Sequence, residues 1–204
     1  MPKIKTIIFD FGGVLINLDR EACVKRYKEL GVLDADKLLD NYMQSGVFLA
    51  LEKGELTLRD FHNQIRKISG RYISDNDIDD AFRAFLLDIP QRRMDKIKQL
   101  RKCYRTVILS NTNEIHFPSD SDLLVTGGYR IADYFDYCYL SYQMHLSKPD
   151  KAIFVELLRR EGLKPQECLY LDDGECNITT AREMGFNCYL VNDDWVDKID
   201  NYLE

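Results

Sequence analysis

Four polar clusters stand at the ends of apolar runs, where side chains of a buried sheet emerge to do chemistry. Asp10 follows Ile7-Ile8-Phe9 and precedes Phe11-Gly12-Gly13-Val14-Leu15. This puts a carboxylate at a strand end with a flexible turn behind it. Paired glycines let backbone N–H groups approach a bound phosphate, although a plain tight turn accounts for the same residues equally well. Ser110-Asn111-Thr112-Asn113 offer hydroxyl and amide donors for phosphoryl oxygens without adding charge; alone they also read as a turn or helix cap. In Ser147-Lys148-Pro149-Asp150, Pro149 is expected to start a helix and fix Lys148 at its mouth. There the ammonium could neutralise a phosphate, against the plainer reading of a solvated surface charge. In Tyr170-Leu171-Asp172-Asp173-Gly174, adjacent like charges call for a cation. Magnesium takes carboxylate oxygens, water and phosphate together, while an acidic helix N-terminus is the competing explanation.

Strands and helices must position these groups. Ile4 to Phe9, Thr106 to Leu109 and Cys168 to Leu171 read as buried parallel strands, joined by Cys188 to Val191 and Tyr137 to Leu140. Helical patterns fall between them: Met94 to Cys103, Ala152 to Arg160 stopped by Gly162, and Asn177 to Met184 stopped by Gly185. Alternating strand and helix predicts an α/β fold with a doubly wound, Rossmann-like parallel sheet. From about Arg20 to Pro90 the pattern is helical throughout. Ile78, Ala81, Phe82, Phe85 and Leu86 share one helix face, and Leu58, Phe61, Ile65 and Ile68 share another after Thr57 as N-cap. Inserted after the first strand, such a segment is expected to stand over the carboxyl edge of the sheet as a lid.

The chain has 204 residues, 45% hydrophobic, enough for one core and a smaller attached unit. Its net charge of -6 opposes a large polyanion, so no nucleic-acid partner is expected. Met1-Pro2-Lys3-Ile4-Lys5 runs directly into a short apolar stretch without the features of a signal peptide, and no stretch approaches a membrane span. Cys23, Cys103, Cys138, Cys168, Cys176 and Cys188 form no CxxC pair and are expected to be reduced and mostly buried. A cytoplasmic location follows as the expectation.

Taken in order, Phe9-Asp10-Phe11-Gly12-Gly13-Val14-Leu15, Leu109-Ser110-Asn111-Thr112-Asn113, Lys148-Pro149 and Asp172-Asp173 resemble the motifs of the haloacid dehalogenase-like (HAD) superfamily. The likeness covers essentially the whole chain. Within the superfamily it resembles bacterial sugar-phosphate phosphatases of the α-glucose-1-phosphate phosphatase kind, a likeness that includes Glu52-Lys53-Gly54-Glu55 and His116. The resemblance implies a core of residues 1–18 and 91–204 with a helical cap over 19–90. It implies a Mg2+-dependent phosphatase acting on a small phosphate monoester, with a sugar phosphate favoured and a monomer or homodimer as the assembly. Asp10 would be the nucleophile and a metal ligand, Gly12 would offer its carbonyl to magnesium, Asp173 would bind directly and Asp172 through water. Ser110 and Asn111 would hold the phosphoryl group, with Lys148 offsetting its charge and orienting Asp10.

The sequence departs from the family pattern at Gly12, where phosphatases of this kind carry a second Asp as acid and base. Asp19, Glu52 and Glu55 are the candidate replacements. Two alternatives stand beside the phosphatase: a dehalogenase, which uses the strand-end Asp without metal, and a catalytically weak phosphate-binding regulatory module. His62 is expected to be exposed on its helix, His116 and His145 in loops, Trp195, Tyr189 and Tyr202 in packing, and Asp120 to Arg130 in a polar loop.

Overall fold

The computed structural model describes residues 3–192 and 194–203; Met1 and Pro2, where the leader reading begins, lie outside the described residues. Each expected apolar run forms a strand: β1 (Thr6–Phe9), β2 (Arg105–Ser110), β3 (Tyr137–Leu140), β4 (Cys168–Asp172) and β5 (Asn187–Leu190). All neighbours pair in parallel in the order β3-β2-β1-β4-β5. The chain therefore winds outward from β1 in both directions, and open sheets of this kind bind ligands at the carboxyl ends where the winding reverses. Phe9 pairs with Ile108 on one side and Leu171 on the other, so Asp10 and Asp172 leave adjacent strands side by side.

The helices are α1 (Arg20–Glu29), α2 (Ala35–Leu38), α3 (Gly46–Glu52), α4 (Leu58–Ser69), α5 (Asp75–Arg83), α6 (Gln91–Leu100), α7 (Ile131–Tyr134), α8 (Ser141–Met144), α9 (Lys151–Glu161) and α10 (Glu175–Glu183). Alternation along β1 sends Ile7 and Phe9 to one face, where they join Met94 and Ile97 of α6 and Trp195. Ile8 goes to the other, with Ile153, Phe154 and Leu157 of α9 and Ile178 and Ala181 of α10. Trp195 packs on Phe9 at 5.5 Å and donates its indole N–H to the Val14 carbonyl at 2.9 Å, which ties the chain end to the turn after β1. As expected, Tyr189 and Tyr202 also pack, ring on ring.

The helices α1 to α5 hold no strand and have their own core of Cys23, Tyr27, Phe48, Phe61, Ile65, Ile78 and Phe82. Tyr27, Phe48 and Phe82 meet edge to face, with Phe48 5.0 Å from Tyr27 and 5.2 Å from Phe82. Thr57 caps α4 through Asp60 N, as its position predicts. Several details correct the sequence expectations. Ile68 is 46% exposed in the last turn of α4, while His62 is buried in the stripe because Asp79 meets its Nε2 at 2.7 Å. Leu86 lies beyond the end of α5 and bridges Leu18 instead. Pro149 precedes α9 rather than starting it, because Asp150 is the N-cap and accepts from Ala152 N. All six cysteines are free, but Cys103 and Cys176 are exposed, one in the turn after α6 and the other at the start of α10. The 120–130 loop is polar as expected, yet Leu124 anchors it in the core and Leu123 bridges Arg130. Among the described residues no helix is long and apolar enough to cross a membrane.

Candidate active site

The four polar clusters converge on one cavity, lined by Asp10, Gly12, Ser110, Asn111, Lys148 and Asp173 from the sheet side. Asn41, Tyr42, Gln44, Glu52 and Phe82 line it from the helical segment. Asp10, Asp172 and Asp173 each offer a carboxylate oxygen within 4.8 Å of the others. Lys148, only 3% exposed, reaches Asp10 Oδ1 at 2.9 Å and Asp172 Oδ2 at 2.7 Å. Three acids and one cation leave this pocket with excess negative charge.

Asp172 and Asp173 differ in what they can still bind. Asp172 is fully buried and accepts four hydrogen bonds: Lys148 Nζ and Tyr170 OH on Oδ2, Gly174 N at 2.7 Å and Asn177 Nδ2 at 2.9 Å on Oδ1. Asp173 accepts none of these and lies against Gly13, whose φ of +69° and missing Cβ make room for it; a Cβ there would collide with its carboxylate. Gly13 is thus a cradle as well as a turn residue.

Titration follows from this crowding. Burial pushes the Asp10 carboxyl up to about 8, with Asp172 and Asp173 adding to the rise and Lys148 opposing it. Burial and the charge of Asp172 push Asp173 up to about 6. Burial works against the charge on Lys148, but Asp10 and Asp172 outweigh it and hold its pKa above the ordinary lysine value. A divalent cation would relieve the same repulsion, and carboxylate oxygens are the donors magnesium prefers, so the residues present fit that ion.

Ser110 is buried at the end of β2 and lines the cavity. The Asn111 side chain is engaged elsewhere: its Oδ1 accepts from Lys148 N at 2.8 Å and its Nδ2 donates to Lys148 O at 2.9 Å. The amide expected to face phosphate clamps the lysine loop instead, a pairing that nothing in the spacing of Asn111 and Lys148 foretells.

Of the three candidate acids, Asp19 caps α1 by accepting from Ala22 N, and Glu55 is exposed. Glu52 closes α3, is 7% exposed and lines the cavity; no hydrogen-bond donor among the described residues meets its carboxyl. Burial, and then the charge of Asp10, push it up to about 8. His116 also lines the cavity, but both ring nitrogens are committed, Nε2 to the Phe82 carbonyl at 2.9 Å and Nδ1 to Asn113 Nδ2 at 3.3 Å. Burial lowers its pKa to about 4. His145 stays outside the cavity, its Nδ1 3.2 Å from the Lys53 carbonyl.

The arrangement sets a strand-end carboxylate beside a cavity that could take an anion, and a divalent cation held by its acids would offset both charges. A family model described as a haloacid dehalogenase-like hydrolase matches residues 4–185. A D-ribitol-5-phosphate phosphatase of Bacteroides thetaiotaomicron is 37% identical over 187 residues, 91% of each chain. A wild-type HAD family enzyme of the same organism, solved with magnesium and inorganic phosphate, superposes with a TM-score of 0.85 at 37% identity, covering 94% of this chain and 97% of that one. A HAD-like family hydrolase from Porphyromonas gingivalis gives a TM-score of 0.90 at 36% identity over 98% of both chains.

Proposed function

We propose, from the premise that the chain belongs to the haloacid dehalogenase-like hydrolases, that it is a magnesium-dependent phosphatase acting on a small phosphate monoester. A phosphorylated sugar or polyol is the favoured substrate class, supported by likeness to the D-ribitol-5-phosphate phosphatase. The observation that carries the reading is the convergence of the Asp10, Asp172 and Asp173 carboxylates around one point, with Lys148 between two of them. A metal-independent dehalogenase would leave those acids facing the nucleophile uncompensated.

Asp10 is the nucleophile. Its oxygen attacks phosphorus, the ester bond breaks, and the resulting aspartyl phosphate is hydrolysed by water. Asp10, Asp173 and the Gly12 carbonyl would hold magnesium, with Asp172 acting through water, and the bound ion would supply the positive charge that lets two anions meet. Lys148 fixes the orientation of Asp10 and offsets charge on the phosphoryl group. Ser110 donates its hydroxyl to a phosphoryl oxygen, and Asn111 contributes by holding the Lys148 backbone in place. Residues 1–18 and 91–204 act as the catalytic core, and 19–90 act as a cap whose Asn41, Tyr42 and Gln44 face the rest of the ester. Phosphate release over a panel of sugar, polyol and nucleoside phosphates, with and without magnesium, tests the reading. Magnesium-dependent release that vanishes in Asp10→Asn is expected; release indifferent to both would refute it.

A further inference from the structure

The position two residues beyond the nucleophile is Gly12, which has no side chain to move a proton. A poor leaving group such as an alcohol needs one moved, twice: onto the departing oxygen, then off the attacking water. Among the titratable side chains lining the cavity, Lys148 is held by Asp10 and Asp172, and Asp173 sits in the acidic cluster against Gly13. His116 has both nitrogens committed, and Tyr42 is 57% exposed. Glu52 alone is buried with a carboxyl that meets no donor among the described residues.

Glu52 is also held in a fixed place, although it belongs to the helical segment. Ser141, at the start of α8, donates its hydroxyl to the Glu52 carbonyl at 2.6 Å and accepts from Thr112 N at 2.9 Å. One hydroxyl thereby joins the end of α3 to the loop after β2. Two residues on, Gly54 has a φ of +66° and packs so closely on the Tyr142 carbonyl that a Cβ would collide with it. The end of α3 is therefore docked on the core, and Glu52 lines the same cavity as Asp10, where an acid and base for the reaction must stand.

We propose that Glu52 is the acid and base of this phosphatase, delivered from the helical segment in place of the side chain that Gly12 lacks. The inference rests on the phosphatase reading given above. As the Asp10 oxygen bonds to phosphorus and the ester P–O bond breaks, the Glu52 carboxyl gives its proton to the departing alkoxide, yielding the alcohol and a Glu52 carboxylate. Water then attacks phosphorus, its proton passes to Glu52, and the P–O bond to Asp10 breaks. Inorganic phosphate leaves, with Asp10 ionised and Glu52 protonated as at the start. Burial among apolar and acidic groups favours the protonated carboxyl that the first step needs.

The test uses the full chain with magnesium, p-nitrophenyl phosphate as a good leaving group and phenyl phosphate as a poorer one. Glu52→Gln should lose about a hundred- to ten-thousand-fold on phenyl phosphate and less on the formation of enzyme-bound phosphate from p-nitrophenyl phosphate. Because the second step also loses its base, intact-protein mass spectrometry should find phosphorylated Asp10 accumulating in Glu52→Gln and not in wild type. Ser141→Ala, which unpins the Glu52 backbone, should show the same leaving-group bias in weaker form, and it serves if Glu52→Gln does not melt like wild type. Wild-type leaving-group dependence without phosphoenzyme in Glu52→Gln, beside an inactive Asp10→Asn, would overturn this inference alone. Hydrolysis surviving Asp10→Asn would overturn the reading of a phosphatase working through Asp10, and this inference with it.

Discussion

Replacing Lys148 by Met isolates the electrostatics on which the site is built. Lys148 is 3% exposed and its ammonium lies 2.9 Å from Asp10 and 2.7 Å from Asp172, so its removal leaves two buried carboxylates without a cation. Breaking a buried ion pair from one side costs about 3–5 kcal/mol. At about 2–4 °C per kcal/mol for a chain of this size, the melting temperature of the metal-free protein should fall by about 6–20 °C. The loss carries a pH signature. Without Lys148, the Asp10 carboxyl, already raised by burial, loses the cation that opposes the rise and holds its proton more tightly folded than unfolded, so the deficit is smaller near about pH 5 and grows toward about pH 8 as ionisation is forced. Urea titrations of both proteins at the two pH values, in chelator, measure it directly. Adding Asp172→Asn to Lys148→Met should recover about 1 kcal/mol or more, since the buried charge then disappears with its partner. A deficit under about 1 kcal/mol at the higher pH, or one indifferent to pH, would refute the premise that Lys148 compensates buried charge.

Three further outcomes follow from the geometry. Because Asp10 is raised to about 8 and Asp173 to about 6, their contribution to metal-free stability is fullest below about pH 4 and is lost as pH rises through those values. Compared with Asp10→Asn in chelator, wild type should lose melting temperature from about pH 5 to about pH 8, and magnesium should abolish the difference; a parallel pair of curves would count against it. Gly13→Ala should weaken magnesium binding at least about tenfold by calorimetry, because the new methyl occupies the space of the Asp173 carboxylate; unchanged affinity would remove Asp173 from the metal site. Asn111→Ala deletes the two bonds that clamp the Lys148 backbone and should cost about 1–3 kcal/mol together with a lower kcat. Stability within about 0.5 kcal/mol of wild type would show the clamp to be dispensable.

Much of the fold is legible because β-branched and aromatic runs such as Ile7-Ile8-Phe9 and Cys168-Leu169-Tyr170-Leu171 have few alternatives to a buried strand. The clusters they present are legible for the same reason, since polar residues closing such runs must reach the sheet edge. Strand order is not, because each run would look the same beside any other; the pairing of β1 with β4, which sets Asp10 beside Asp172, is a tertiary fact. Partners distant in sequence are equally invisible. His62 reads as exposed until Asp79 arrives from the next helix, and Asn111 reads as a phosphate donor until the Lys148 backbone takes both ends of its amide. Glu52 in Glu52-Lys53-Gly54-Glu55 looks like an ordinary surface turn, because the Ser141 hydroxyl that pins its backbone lies 89 residues away.

That Ser141 contact, with the close seat of Gly54 on Tyr142, bears on engineering. A chimera carrying residues 19–90 on a related core would need a hydroxyl at the position of Ser141 and an uncrowded carbonyl at that of Tyr142, or the grafted segment would sit askew. Selectivity swaps by whole-segment exchange should therefore succeed in proportion to how well the recipient reproduces this joint, more than to how closely the two donors' substrates agree.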